Sequence, residues 1–231
     1  MKRYLPFALI LLVAAVACTA GVMILRHQKT VLAAAERAQV EEASFGKRGA
    51  NPPHIRGNAR APVTLEEFGD FQCPPCGNLS SVLAKLEHDY GARLRVIFRQ
   101  YPLQMHAHAA EAARVAEAAG MQDKFWEMHD LLYRNQTSWT KAADPTAELN
   151  GYAGNLGLDP ERFKTDLASK TAKERIEADQ ARADSLGVDS TPTVYLNHNR
   201  VTPSAFNEKG LRAVIDAALG GKAPASPSPT K

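Results

Sequence analysis

The chain of 231 residues is long enough for one or two domains with a sizeable core. With 45% hydrophobic and 23% charged residues it has the composition of ordinary soluble globular protein, and a formal charge of +3 is too mild to point to a nucleic-acid partner. Three cysteines exclude both a disulfide-scaffolded fold and a four-cysteine zinc or iron–sulfur centre within one chain.

Residues 1–25 read as a membrane segment. Met1-Lys2-Arg3 precede an uncharged, mostly apolar run from Tyr4 to Leu25, which as a helix spans roughly 33 Å, enough to cross a bilayer. Run length favours an uncleaved transmembrane anchor. The alternatives are a cleaved signal peptide with Ala15-Val16-Ala17 as its site, or a lipoprotein modified at Cys18. Each exports the rest of the chain to an oxidising compartment, where a dithiol pair makes chemical sense. Residues 26–60 follow as a polar stalk, with an Ala/Glu/Arg helical stretch Thr30–Ala43 and a Gly/Pro-containing connector Phe45–Gly57.

The body is predicted over 61–219. Val63–Phe68 and Leu94–Arg99 read as strands. Between them a helix from Pro74 to Tyr90 places Leu79, Val82, Leu83, Leu86 and Tyr90 on one face, so the three elements form a parallel strand–helix–strand unit. Met105–Leu186 reads as helical throughout. Ala109, Ala112, Ala113, Ala116 and Ala119 make a small-residue face, Phe125, Met128 and Leu132 an apolar one, and Trp126, His129 and Tyr133 its neighbour. Asp159-Pro160 reads as an N-cap with Pro in the first turn, and Gly187 as the stop for a helix Ser169–Leu186. Then come a strand Thr193–Asn197, a turn at His198-Asn199, a short strand near Val201 and a helix with Leu211, Val214, Ile215 and Ala218 inward. Residues 220–231 carry three prolines and no large apolar residue, and read as a disordered tail.

Cys73-Pro74-Pro75-Cys76 lies where the first strand gives way to the first helix. Alone, a Cys-x-x-Cys is half a zinc site, a redox pair or chance; at a strand-to-helix junction it reads as a redox pair. At the helix N-terminus, unpaired N–H groups and the positive end of the dipole favour a Cys73 thiolate. Cys73 is therefore the expected attacking sulfur and Cys76, one turn further in, the resolving thiol. Pro-Pro offers neither charge nor N–H, so Cys73 depends on the N–H groups of Cys76 and Gly77 and on the dipole. A less depressed thiol and a less oxidising pair than in a His-containing motif follow.

Four ordered blocks carry a resemblance: Glu67-Phe68-Gly69-Asp70-Phe71-Gln72-Cys73-Pro74-Pro75-Cys76, Phe98-Arg99-Gln100-Tyr101-Pro102-Leu103, Lys124-Phe125-Trp126-Glu127-Met128-His129-Asp130-Leu131-Leu132 and Gly187-Val188-Asp189-Ser190-Thr191-Pro192-Thr193. Over roughly Ala61 to Leu219 the chain resembles the DsbA family of thiol:disulfide oxidoreductases. The resemblance implies an α/β thioredoxin-like fold with an inserted all-helical subdomain, here at about 104–186. Thr191-Pro192 then matches the family's cis-proline loop, which faces the cysteines and pairs with an extended substrate backbone. The activity implied is an oxidase that gives its disulfide to cysteines of unfolded exported proteins and is re-oxidised by a membrane redox partner. No prosthetic group is needed, since the Cys73–Cys76 disulfide is itself the redox group.

Glu67 alternates with Val63 and Leu65, which points it into the core, where an unpaired acid would titrate high and relay a proton to Cys76; the family keeps an acid at this place. The competing reading turns Glu66 inward instead. Asp70 reads as a solvated turn residue, and His106-x-His108 and His129 as ordinary histidines rather than metal ligands. A reductase or isomerase of the same fold is the close rival in function. From a different class comes a non-redox protein that carries a metal or holds unfolded clients.

Overall fold

The computed structural model describes residues 21, 23–30 and 45–220. The expected membrane segment 1–25 falls outside the described residues except at 21 and 23–25; most of the helical stretch Thr30–Ala43 and the tail after Gly220 fall outside them too. Among the described residues no helix is long and apolar enough to cross a membrane. The chain divides into two units, Met1–Gly46 and Lys47–Lys231. In the first, residues 23–30 are helical and exposed.

In the second unit, alternation along one strand organises the sheet. Strand β2 (Val63–Gly69) pairs in parallel with β3 (Leu94–Gln100) and antiparallel with β4 (Thr193–Leu196). Leu65 therefore lies beside Val96 and Leu196, and Glu67 beside Phe98 and Val194. Two shorter strands complete the order β1-β3-β2-β4-β5: β1 (His54–Gly57) runs antiparallel to β3, and β5 (Asn199–Arg200) antiparallel to β4. The turn into β5 uses Asn197 and His198, both at positive φ (44° and 71°), one residue earlier than the sequence suggests.

On one face, Val63, Leu65, Val96, Val194 and Leu196 pack against helix α1 (Pro74–Tyr90), through Leu79, Leu83 and Leu86. Leu211 and Ile215 join from the C-terminal helix (Glu208–Leu219), which Asn207 caps by accepting from the Gly210 N–H. Full burial of each such side chain contributes about 1.5–3 kcal/mol. Gly91, at φ 52°, ends α1 and lets the chain turn back into β3. The opposite face is partly polar. Glu66 accepts from Arg99 at 2.7 Å and from Arg182 at 2.7 and 2.8 Å, while Asp179 accepts from Arg99 and from the N–H groups of Ala50 and Gln100.

Between β3 and β4 the chain is helical but divided: α2 (Ala109–Gly120), α3 (Phe125–Arg134), α4 (Gln136–Trp139), α5 (Thr146–Asn155), α6 (Pro160–Leu167) and α7 (Lys170–Ser185). The continuous helical reading of Met105–Leu186 is thus corrected. Local breakers cut it: Asp123 and Gly157 take positive φ, and Asp159 and Ser169 cap new helices through the N–H groups of Arg162 and Ala172. The buried alanines of α2 let it pack closely within a core that includes Met128, Leu132, Trp139, Leu149 and Phe163, and that core reaches Cys73 and Cys76. The expected stalk is also corrected, because His54–Gly57 is a strand and Ala50 is buried under Arg99.

Candidate active site

Strand β2 ends at Gly69, where a Cβ would lie 2.4 Å from the Phe98 ring, so glycine lets that ring pack against the strand end. Asp70, Phe71 and Gln72 lead to Cys73, the N-cap of α1, with Pro74 and Pro75 at the first helical positions. The N-cap residue is extended (φ −74°, ψ 117°), and its carbonyl accepts from the N–H groups of Cys76 (3.1 Å) and Gly77 (3.3 Å). Both cysteines are free thiols, Cys73 at 5% exposure and Cys76 at none.

The Thr191–Pro192 peptide is cis and faces them: Cys73 Sγ donates to the Thr191 carbonyl at 3.3 Å. Thr191 Oγ1 is shielded from solvent and has no hydrogen-bond partner. The Cys73 thiol is brought down to about 6, first by the Cys76 S–H, against the opposing effect of burial, and then by Thr191 and the Cys76 backbone N–H; the nearby Asp70 charge works the other way. Cys76 is pushed far above the usual thiol range by burial, by giving its S–H to Cys73 and by the nearby Glu67. The pair is therefore asymmetric, with one sulfur ready to ionise and the other held protonated.

Glu67 points into the core as expected, beside Ser80 and Leu83 of α1, and Glu66 is buried too, on the opposite face of β2. Glu66 is a structural acid: burial raises it, but Arg182 and Arg99 hold it below the ordinary carboxylate range. Glu67 has no such partner. Its Oε1 makes no hydrogen bond, and burial, then the Cys73 charge, push it up to about 8. Beside it lies a cavity of about 10 Å³, lined by Arg56, Ser80, Leu83, Val96 and His129 among others, about the room one water needs.

Asp70 is a correction. It is 1% exposed rather than solvated, and its carboxylate accepts from the N–H groups of Gln72 (2.7 Å) and Leu103 (2.9 Å) and pairs with His106 Nδ1 (2.7 Å). His108 donates its backbone N–H to Gln72 Oε1, so the loop after β3 folds over the segment before Cys73. Among the described residues no three His, Cys, Asp or Glu side chains converge as a metal site. His129 is buried among Phe71, Phe98, Trp126 and Tyr133, with Nδ1 against Asp130. Sequence reasoning missed two further groups. Tyr133 is a buried residue whose hydroxyl, close to Gly69, has no partner. Gln136 donates from Nε2 to the carbonyls of Phe71 (2.7 Å) and Cys73 (2.8 Å).

The family profile described as Thioredoxin matches residues 50–217, more than half of the chain. The chain is similar to a thioredoxin-like oxidoreductase from Silicibacter pomeroyi DSS-3, at 25% identity and a TM-score of 0.63, covering 78% of this chain and 97% of the other. It is also similar to Pseudomonas aeruginosa DsbA2, at 25% identity and a TM-score of 0.58, covering 73% and 96%. A curated relative from Salinispora arenicola (strain CNS-205), named Na(+)/H(+) antiporter NhaA 1, is 41% identical over 169 residues, which are 73% of this chain and 25% of that protein. The chain thus spans about a quarter of the length of the curated relatives it matches. Fold, site and family agree on an enzyme that works on thiols and disulfides. The chain belongs to the thioredoxin family, as a DsbA-like thiol–disulfide oxidoreductase.

Proposed function

We propose that this enzyme donates the Cys73–Cys76 disulfide to cysteines of extracytoplasmic proteins. The observation that carries this direction is the stabilised Cys73 thiolate, at about 6 beside a Cys76 held protonated. A site that favours the thiolate favours the reduced pair, which makes the disulfide ready to leave. Thioredoxin's thiol lies near 7 and that of a strong periplasmic oxidant near 3.5, so about 6 supports an oxidant of intermediate strength.

In this reading a client thiolate attacks Cys73 Sγ, the Cys73–Cys76 bond breaks, and the electron pair leaves on Cys76, which takes a proton from Glu67. A second client thiolate attacks the client sulfur of the mixed disulfide. The client is released with its disulfide, two electrons poorer, and Cys73 leaves as thiolate. Thr191 and Pro192 seat the extended client backbone; Pro192 has no N–H to compete for it. No prosthetic group is required, and a membrane redox partner would re-oxidise the pair. Export with anchoring through residues 4–25 completes the proposal.

The test is the reduction potential of the pair in glutathione buffers, with Cys73→Ser and Cys76→Ser as companions. A potential well above thioredoxin's, about −270 mV, and toward about −120 mV supports a disulfide donor. A value at or below thioredoxin's turns the reading to a reductase or isomerase. Cys73→Ser should abolish client oxidation and Cys76→Ser should trap mixed disulfides; exchange surviving in Cys73→Ser would end the proposal.

A further inference from the structure

A helix N-cap side chain ordinarily accepts from the N–H of the second or third helical residue. Here the N-cap side chain is the Cys73 sulfur and the second residue is Pro75, which has no N–H. The Cys76 N–H is the donor that remains. In the structure it donates to the Cys73 carbonyl oxygen, 3.1 Å away, and it is also one of the groups that lower the Cys73 thiol.

The carbonyl has another source of hydrogen bonds. Gln136 Nε2 donates to it at 2.8 Å, closer than either backbone N–H, while also donating to the Phe71 carbonyl at 2.7 Å. This amide is held in place. Gln136 begins α4, its own carbonyl accepts from Thr140 Oγ1 at 2.6 Å, and α4 is pinned by Trp139, fully buried with its indole N–H donated to the Leu132 carbonyl. On the other side, a Cβ at Gly77 would lie 2.7 Å from Gln136 Oε1, so the absence of a side chain at Gly77 lets the amide reach the loop.

We propose that Gln136 is a positioning residue of the redox site: as a third donor on the Cys73 carbonyl it shares that oxygen with the Cys76 and Gly77 N–H groups, and so frees the Cys76 N–H to turn to the Cys73 sulfur when Cys73 ionises, in place of the donor that Pro75 lacks. The inserted helices thereby act on sulfur chemistry through a backbone carbonyl, without touching the sulfur. This rests on the reading of Cys73 as the attacking thiolate.

The experiment is the pH profile of Cys73 alkylation by iodoacetamide in the reduced full-length chain. Gln136→Leu keeps the bulk and removes the donor; alkylation at pH 5 should fall about five-fold, the worth of one net hydrogen bond, with the profile moved to higher pH. Pro75→Ala restores an N–H at the second helical position, so adding it to Gln136→Leu should return the profile toward that of the parent, a coupling that lost packing alone would not produce. Circular dichroism checks that the variant is folded. If Gln136→Leu does not fold, Gln136→Met, which removes the donor without adding a charge, takes its place with the same expected shift. An unmoved profile in the folded variant, or no return with Pro75→Ala, overturns the inference. A parent chain that alkylates like an ordinary thiol near 8.5 would instead overturn the reading of Cys73 beneath it.

Discussion

Glu67 is a buried acid kept neutral, and that has a cost that depends on pH. In the dithiol form it titrates at about 8, against 4.5 for a free carboxyl. Below pH 4.5 folded and unfolded chains are both protonated and nothing is lost. As pH rises the unfolded chain ionises first, so stability is drained until the folded carboxyl itself ionises near 8. Glu67→Gln should therefore leave urea unfolding unchanged at pH 4 and raise stability at pH 8 by up to several kcal/mol, at about 1.4 kcal/mol per pH unit. On the proposed mechanism it should also slow client oxidation, because Cys76 would lose its proton donor. An equal stability difference at both pH values would remove Glu67 as a buried neutral acid. Cys73 and Cys76 were legible in the sequence because their types and spacing are the chemistry, and Pro192 only through the family resemblance. Asp70 was not, because its burial comes from Leu103 and His106, more than thirty positions away. Gln136 was not either: its partners are carbonyls, which every residue has.

The two faces of β2 assign opposite fates to adjacent acids. Glu66 joins the sheet to α7 through Arg182 and to the neighbouring strand through Arg99, and Arg99 and Asp179 together fasten Ala50. Breaking such a buried cluster by neutralising one member leaves two guanidinium groups short of their counter-charge. Glu66→Gln is expected to lower stability by about 3–5 kcal/mol at pH 7, where Glu67→Gln raises it. A loss below about 1 kcal/mol in urea titration would mean that the arginines find other partners. The strands and α1 were readable because their apolar periods are long. The β1 strand was not, because His-Ile-Arg-Gly has no such pattern and is a strand only by pairing with β3. The breaks in the helical insert depend on local turns such as Asp123 and Gly157, which a long alanine-rich stretch conceals.

For the molecule as a whole, redox state and folding are one equilibrium. The Cys73 thiol titrates at about 6 in the fold, against 9.0 for a free thiol, so its ionisation adds stability to the dithiol form at high pH. That contribution is complete above about 9 and disappears as pH falls through 6. The unfolding midpoint of the dithiol form, measured against that of the disulfide form, should accordingly rise between pH 5 and pH 9. A difference flat across that range would leave the pair no thermodynamic reason to oxidise a client. The outer margins of the sheet carry a further consequence. They are a four-residue strand that closes on Gly57 and a strand of two residues. Long unpaired margins recruit other extended chains and seed aggregation. For an enzyme with the proposed extended clients, these short borders would give such chains little to join. In the proposed mechanism an extended chain would be held only beside the sulfur, at Thr191 and Pro192, and would leave once its disulfide is made.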